Sequence, residues 1–194
     1  MSLSNILSVS KLVCAAGILA FATAAASAQT TPLNSSAATV SLNATLAESL
    51  TIAATPGNVA ITLVPGGNSA AKPVNITTKW VLNPSRTNVS LYGYFTSATS
   101  ALTDGATTPD NIPTANVFGQ VANGLPTDYT AFTQTTPFGG AGAGLKLAST
   151  AITTGTNSAT TQHNTLNLRI NLTTLKQLPA GTYTGTLYLV AQAL

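Results

Sequence analysis

A two-residue alternation of apolar and polar side chains runs through most of this chain, and it constrains the fold more than any other feature. Successive side chains of a β-strand point to opposite faces, so strict alternation marks a strand with one face buried. Val40, Leu42, Ala44, Leu46, Leu50 and Ile52 share one parity, with Thr39, Ser41, Asn43, Thr45 and Thr51 on the other. The pattern predicts one long strand, or two strands broken near Glu48, a charged residue on the apolar parity. Val59, Ile61 and Leu63 predict a further strand, ended by Pro65-Gly66-Gly67. Val74, Ile76, Trp80 and Leu82 predict the next, with Trp80 in the core, and Asn83-Pro84 ends it. Val89, Leu91 and Phe95 form a fourth set, with Tyr92 and Tyr94 on its opposite face.

An irregular region rich in Thr, Pro, Asp and Asn follows, over residues 97–116. Short strands are expected at Val117–Val121 and Tyr129–Thr133, and another at Leu145–Ile152 after the glycine-rich loop 138–144. Leu166, Leu168, Ile170 and Leu172 alternate with Asn167, Arg169 and Asn171. The last strand is expected over Thr182–Leu194, opened by a turn at Pro179-Ala180-Gly181. Helical spacing with caps is missing, and Gly and Pro punctuate each boundary. About eight strands at such spacing predict an all-β fold, an immunoglobulin-like β-sandwich, with a jelly roll or barrel as the alternative. In sandwiches a tyrosine at the start of a late strand bonds back to upstream backbone; Tyr183 in Leu178-Pro-Ala-Gly-Thr-Tyr is in position for such a corner.

The N-terminus reads as an export signal. Lys11 precedes the apolar run Leu12–Ala26, and Ala26-Ser27-Ala28 has the small-x-small cleavage pattern. That run is shorter than the roughly 20 residues a membrane span needs. The expected organisation is a cleaved signal over 1–28, a flexible segment over 29–38 and one sandwich domain over 39–194, in a chain delivered to the cell surface or the medium through the periplasm. Cys14 is the single cysteine and lies inside the signal, so the mature chain has neither disulfides nor a thiolate site. A domain of about 165 residues is large enough to hold together by its core.

Six bases and four acids in the mature part give a net charge of about +2 with no basic run, which removes a nucleic-acid footprint. His163 is the only histidine and is expected on a loop before a strand, without partners for a triad or a metal. Asp104 and Asp110 flank a loop that fits no calcium motif, and Asx residues there make turns. The Gly139–Gly144 run lacks the Lys-Ser/Thr ending of a phosphate loop. No catalytic, cofactor or metal set is assembled from these residues. Trp80, Tyr92, Tyr94, Tyr129 and Phe132 are the aromatic groups available to stack on sugars, Tyr92 and Tyr94 being the outward-facing pair. Asn34, Asn43, Asn75, Asn88 and Asn171 begin Asn-x-Ser/Thr triplets, as chance allows in so Asn- and Thr-rich a chain.

Both ends carry clean alternation: Val40, Leu42, Ala44 and Leu46 near the start, Gly181 then Leu187, Leu189 and Ala191 near the end. In this the chain resembles secreted pilin-like subunits, those of chaperone–usher fimbriae and spore coat protein U-like domains. Ala193 stands where pilins usually carry a penultimate tyrosine. The resemblance implies an incomplete sandwich whose groove is filled by a strand from a chaperone or a neighbouring subunit. Val40, Leu42, Ala44 and Leu46 are then the donor-strand candidates; Leu187, Leu189 and Ala191 are candidates for the acceptor edge. The expected function is a secreted, non-catalytic structural or surface-assembly subunit, with self-association or a periplasmic chaperone as partner. A carbohydrate-binding or adhesin module using Tyr92 and Tyr94 is the alternative, and a hydrolase the third.

Overall fold

The computed structural model describes residues 33–133, 135–138, 144–175 and 178–194. The expected signal peptide lies outside them, as does most of the glycine-rich run. Two antiparallel sheets pack as a sandwich. One has the order β1 (Ser49–Thr55), β2 (Lys72–Val81), β9 (Thr160–Ile170), β6 (Val117–Val121), β7 (Thr130–Ala131). The other has the order β10 (Tyr188–Ala193), β3 (Asn88–Tyr94), β8 (Leu145–Ala151). The segment expected to be irregular contains a small pair, β4 (Leu102–Thr103) with β5 (Asn111–Ile112), and a 3-10 turn at Thr114–Asn116. No helix among the described residues is long and apolar enough to cross a membrane.

The alternation sorts residues between core and surface as the pattern predicts. Val74, Ile76, Thr78 and Trp80 of β2 point inward, as do Asn164, Leu166, Leu168 and Ile170 of β9. Their partners in the second sheet are Val89, Leu91 and Leu147. Trp80 is 2% exposed, and its indole N–H donates to the Thr156 carbonyl at 2.8 Å, so this large side chain is buried with its polar atom satisfied. Phe132 is fully buried between the sheets. A Cβ at Gly93 of β3 or at Gly119 of β6 would come within 2.9 Å of its ring, so both strands carry glycine where the ring enters. Trp80 and Phe132 are thereby core residues and belong to no sugar platform.

Four expectations need correction. Residues 33–48 contain no strand, although 40–46 alternate perfectly; the strand begins at Ser49, just after the break foreseen at Glu48. Alternation fixes which face a strand would bury but supplies no partner, and an unpartnered strand is marginal in water. Val59–Leu63 is extended without a ladder. The last strand starts at Tyr188, six residues later than the turn signal implied. His163 lies on β9, not on a loop, opposite Thr77 of β2.

Two compact units are distinguished, residues 1–43 and 44–194. In the first, the described residues 33–43 are all exposed. The second holds both sheets and the core.

Candidate functional site: an apolar groove between unpaired edges

β1 and β10 are the outermost strands of their sheets and lie near each other on one side of the sandwich. Beyond β1 the chain runs on as the extended stretch 59–63; ahead of β10 runs the stretch 182–187. Neither belongs to a ladder. Among the described residues, 59–63 make no backbone hydrogen bond to one another or to the rest, and in the second stretch Thr184 exchanges both bonds with Thr103, each 2.9 Å. Amide and carbonyl groups left without partners are strong donors and acceptors that a further strand can satisfy.

An apolar groove borders these two stretches. It consists of two adjoining cavities of about 830 Å³ and 440 Å³, which share Val59, Ile61, Leu102, Ile170 and Tyr183 in their walls. Val59, Ile61 and Leu63 project inward at alternate positions and are half-buried against the core; Leu187 and Leu189 do the same from the other side. Among the described residues no charged side chain lines either cavity. The groove opens onto core residues such as Val74, Val117 and Leu168, so it is a slot in the sandwich itself, not a surface dimple.

The wall around Tyr183 is built locally. Its hydroxyl donates to the Pro179 carbonyl at 2.8 Å, the backward bond of a tyrosine corner, four residues upstream. Desolvation raises the Tyr183 pKa, and the carboxylates of Asp110 and Asp104 add to that rise, so the phenol stays protonated as donor. Gly185 lies directly against the Ala101 carbonyl, where no side chain fits. The stretch 183–185 is therefore held against β4 on one side and open to the groove on the other.

The sequence candidates fall into three places. Leu187 and Leu189 line the groove, Leu189 on β10 opposite Gly93 and Leu187 just before that strand, while Ala191 lies further along β10 opposite Leu91 and outside the groove lining. Val40, Leu42 and Leu46 are 81%, 89% and 83% exposed, and Ala44 is exposed as well, so four apolar side chains in alternation cover nothing. Tyr92 and Tyr94 face outward on β3. Tyr94 stacks on Tyr188 at 5.3 Å, while Tyr92 meets the edge of Phe138 at 5.5 Å and has the Lys146 ammonium 5.8 Å from its ring centre. Each of the two rings thus has a separate aromatic neighbour.

Sequence reasoning missed Val59, Ile61 and Leu63 as a site, because a half-buried strand and the wall of an open groove have the same pattern. It also missed the bracket at the base of the N-terminal segment. Glu48 accepts from the Arg86 guanidinium at 3.1 Å and 3.0 Å and from the Asn83 N–H at 2.7 Å. These bonds lower the Glu48 pKa, the Arg86 hydrogen bond first, and raise that of Arg86. Arg86 also reaches the Ala193 carbonyl at 3.5 Å, and the Leu194 carbonyl accepts from the N–H groups of Thr87 and Asn88. The Asp104 carboxylate accepts from the amides of Ala106 and Asp110 within its own loop, at 3.1 Å and 3.2 Å. His163 Nδ1 is 3.2 Å from the Thr77 hydroxyl on the outer face of the sheet.

The fold and the groove define a class, an all-β sandwich with an apolar slot bordered by two stretches that join no ladder among the described residues. No family model matches the chain, and no curated protein matches it either.

Proposed function

We propose that this protein is a secreted, non-catalytic structural subunit that assembles by strand addition, its groove taking the segment Val40–Leu46 of a second copy. The groove with unladdered backbone on both flanks carries the proposal. A strand laid between 59–63 and 182–187 would satisfy both edges and close the slot. The chain supplies a segment of suitable chemistry: Val40, Leu42, Ala44 and Leu46 at about 6.7 Å intervals, the spacing of inward positions on a strand. Val59, Ile61 and Leu63 stand at the same interval. Residues 29–47 contain no charge, so seating them against the described walls of the groove, which carry none either, strands no ion. The intervening Thr39, Ser41, Asn43 and Thr45 would face solvent. Four exposed apolar side chains and an open apolar slot in one molecule are each an association hazard; together they are a matched pair.

The test uses the mature chain beginning at Gln29, its Leu42→Asp variant, and a synthetic peptide of residues 36–47. Size-exclusion chromatography with light scattering should show oligomers or fibres for the parent and a monomer for the variant. The peptide should bind the variant monomer and raise its melting temperature. A parent protein that stays monomeric at high concentration, joined with no binding of the peptide, would sink the reading.

A further inference from the structure

Arg169 lies on the outer face of the five-stranded sheet, opposite in direction to Leu168 and Ile170, which line the groove. Its guanidinium carbon is 4.0 Å from the Tyr129 ring centre and 5.8 Å from that of Phe118, its register partner on β6. Its Nε is buried and has no hydrogen-bond partner. Among the described residues the sole ion pair is Glu48–Arg86, so Asp128, which precedes Tyr129, does not neutralise it. A guanidinium held by aromatic faces keeps its in-plane N–H fork free for a planar or tetrahedral oxyanion. The Nε itself is closed off, and the terminal guanidinium nitrogens, which have no hydrogen bond among the described residues, are the part of the fork that an acceptor can reach.

The surroundings indicate what bears that acceptor. One register step along, the Asn167 amide meets the Gln120 amide at 3.5 Å, and Gln120 is itself anchored to the Thr127 carbonyl at 2.8 Å. Further along the same face come Thr165 with Asn75, then His163 with Thr77, then Lys79. The row from Arg169 to His163 extends about 20 Å at the rise of a strand. It is rich in amides and hydroxyls, has Arg169 at one end and Lys79 beyond the other, and carries no acid on its strands. β9 is the central strand, with its backbone engaged by neighbours, so a peptide cannot add there as a strand. Separated single cations do not make a nucleic-acid footprint.

We infer that this face binds an acidic polysaccharide, with Arg169 clamping one sugar-borne carboxylate or sulfate while Gln120 and Asn167 bond the neighbouring hydroxyls. The site is independent of the groove and of assembly through it.

Calorimetry of the mature protein with oligogalacturonate, sulfated dextran oligosaccharide and neutral dextran of equal length tests this. Binding of the carboxylated or the sulfated sugar, weakened by salt, is expected, and which of the two binds identifies the anion. Arg169→Gln should weaken that binding roughly tenfold or more, with Arg169→Lys in between, at an unchanged melting temperature. Should Arg169→Gln fail to fold, Gln120→Ala is expected to give a severalfold loss in its place. Absence of binding to both acidic sugars would overturn the inference. So would equal affinity for neutral dextran, or acidic-sugar binding unmoved by Arg169→Gln or, where that variant does not fold, by Gln120→Ala.

Discussion

Two stretches of this chain carry the same code and meet opposite fates. Val40, Leu42, Ala44 and Leu46 alternate as cleanly as Leu187, Leu189, Ala191 and Ala193. Leu189, Ala191 and Ala193 lie on β10, which pairs with β3 in unbroken register from Tyr188–Tyr94 to Ala193–Val89; Leu187 just precedes it, and Leu187, Leu189 and Ala193 rest on the core. The first set has no ladder and stands in solvent. The pattern is therefore a statement about faces and not about partners. A third stretch, 59–63, falls between them, with its apolar face half-buried and its backbone unpaired. Such a gradation is what a sandwich short of one strand would show: a free segment, a half-made wall and a finished edge.

The same substitution at matched positions is the strongest way to break the comparison. Leu189→Asp would place a carboxylate against Gly93 and the core, at a cost of about 3 kcal/mol or more, and denaturant midpoints should fall accordingly. Leu42→Asp should leave the monomer within about 0.5 kcal/mol of the parent, because that side chain is 89% exposed. Both should abolish assembly. Equal destabilisation by the two would mean that 40–46 is packed within its own molecule, and the proposed exchange would fail.

Ile61→Ala sharpens the middle case. Its side chain is half-buried, so the monomer should lose about 1–2 kcal/mol, below the usual range for a fully buried residue. Its effect on peptide binding should exceed its effect on stability, because the groove loses a wall that only an inserted strand would fully cover. Chemical denaturation of the monomer and titration with the 36–47 peptide separate the two effects. A loss of stability with unchanged peptide affinity would move the donor's seat away from residues 59–63.

Much of the architecture could be read from the alternation, because inward and outward residues of β2, β3, β6 and β9 follow from parity alone. Trp80 took its core position from sharing that parity with Val74 and Ile76, and the tyrosine corner was visible in Pro179, Gly181 and Tyr183. The groove was not legible, since its walls Val59, Ile61 and Leu63 look like any strand until the absence of a ladder is seen. Arg169 escaped notice for a related reason. As one outward residue among Asn167 and Asn171 it looked like solvated surface, and the rings of Phe118 and Tyr129 beside its guanidinium come from long-range register. His163 was misplaced because Thr, Gln and Asn around it read as loop, whereas on an outward strand face they are ordinary.

A smaller effect is expected at the corner. Tyr183→Phe removes the bond to Pro179 and keeps the ring in the groove wall. The melting temperature should drop by about 2–4 °C, with the assembly state unchanged. If assembly is lost instead, the corner would be shaping the acceptor edge itself.

The smallest effect concerns the junction between the free stretch and the finished sheet. Glu48 immediately precedes β1, and its bonds to Arg86 and Asn83 fix where the exposed segment leaves the body. Because the folded state lowers its pKa below the ordinary 4.5, its contribution is present above that value and is lost as pH falls through the lower folded pKa. Arg86 stays charged throughout. The group is exposed and screened, so the contribution is modest. Parent and Glu48→Gln should therefore differ slightly near neutral pH, and the gap should close as the carboxylate is protonated in acid. Melting curves of both chains, taken stepwise from neutral pH into the acid range with the Leu42→Asp background keeping them monomeric, measure that gap. A difference that persists unchanged below the folded pKa would show that the start of β1 depends on the shape of the Glu48 side chain and not on its charge, and the ion pair would then have no part in fixing it.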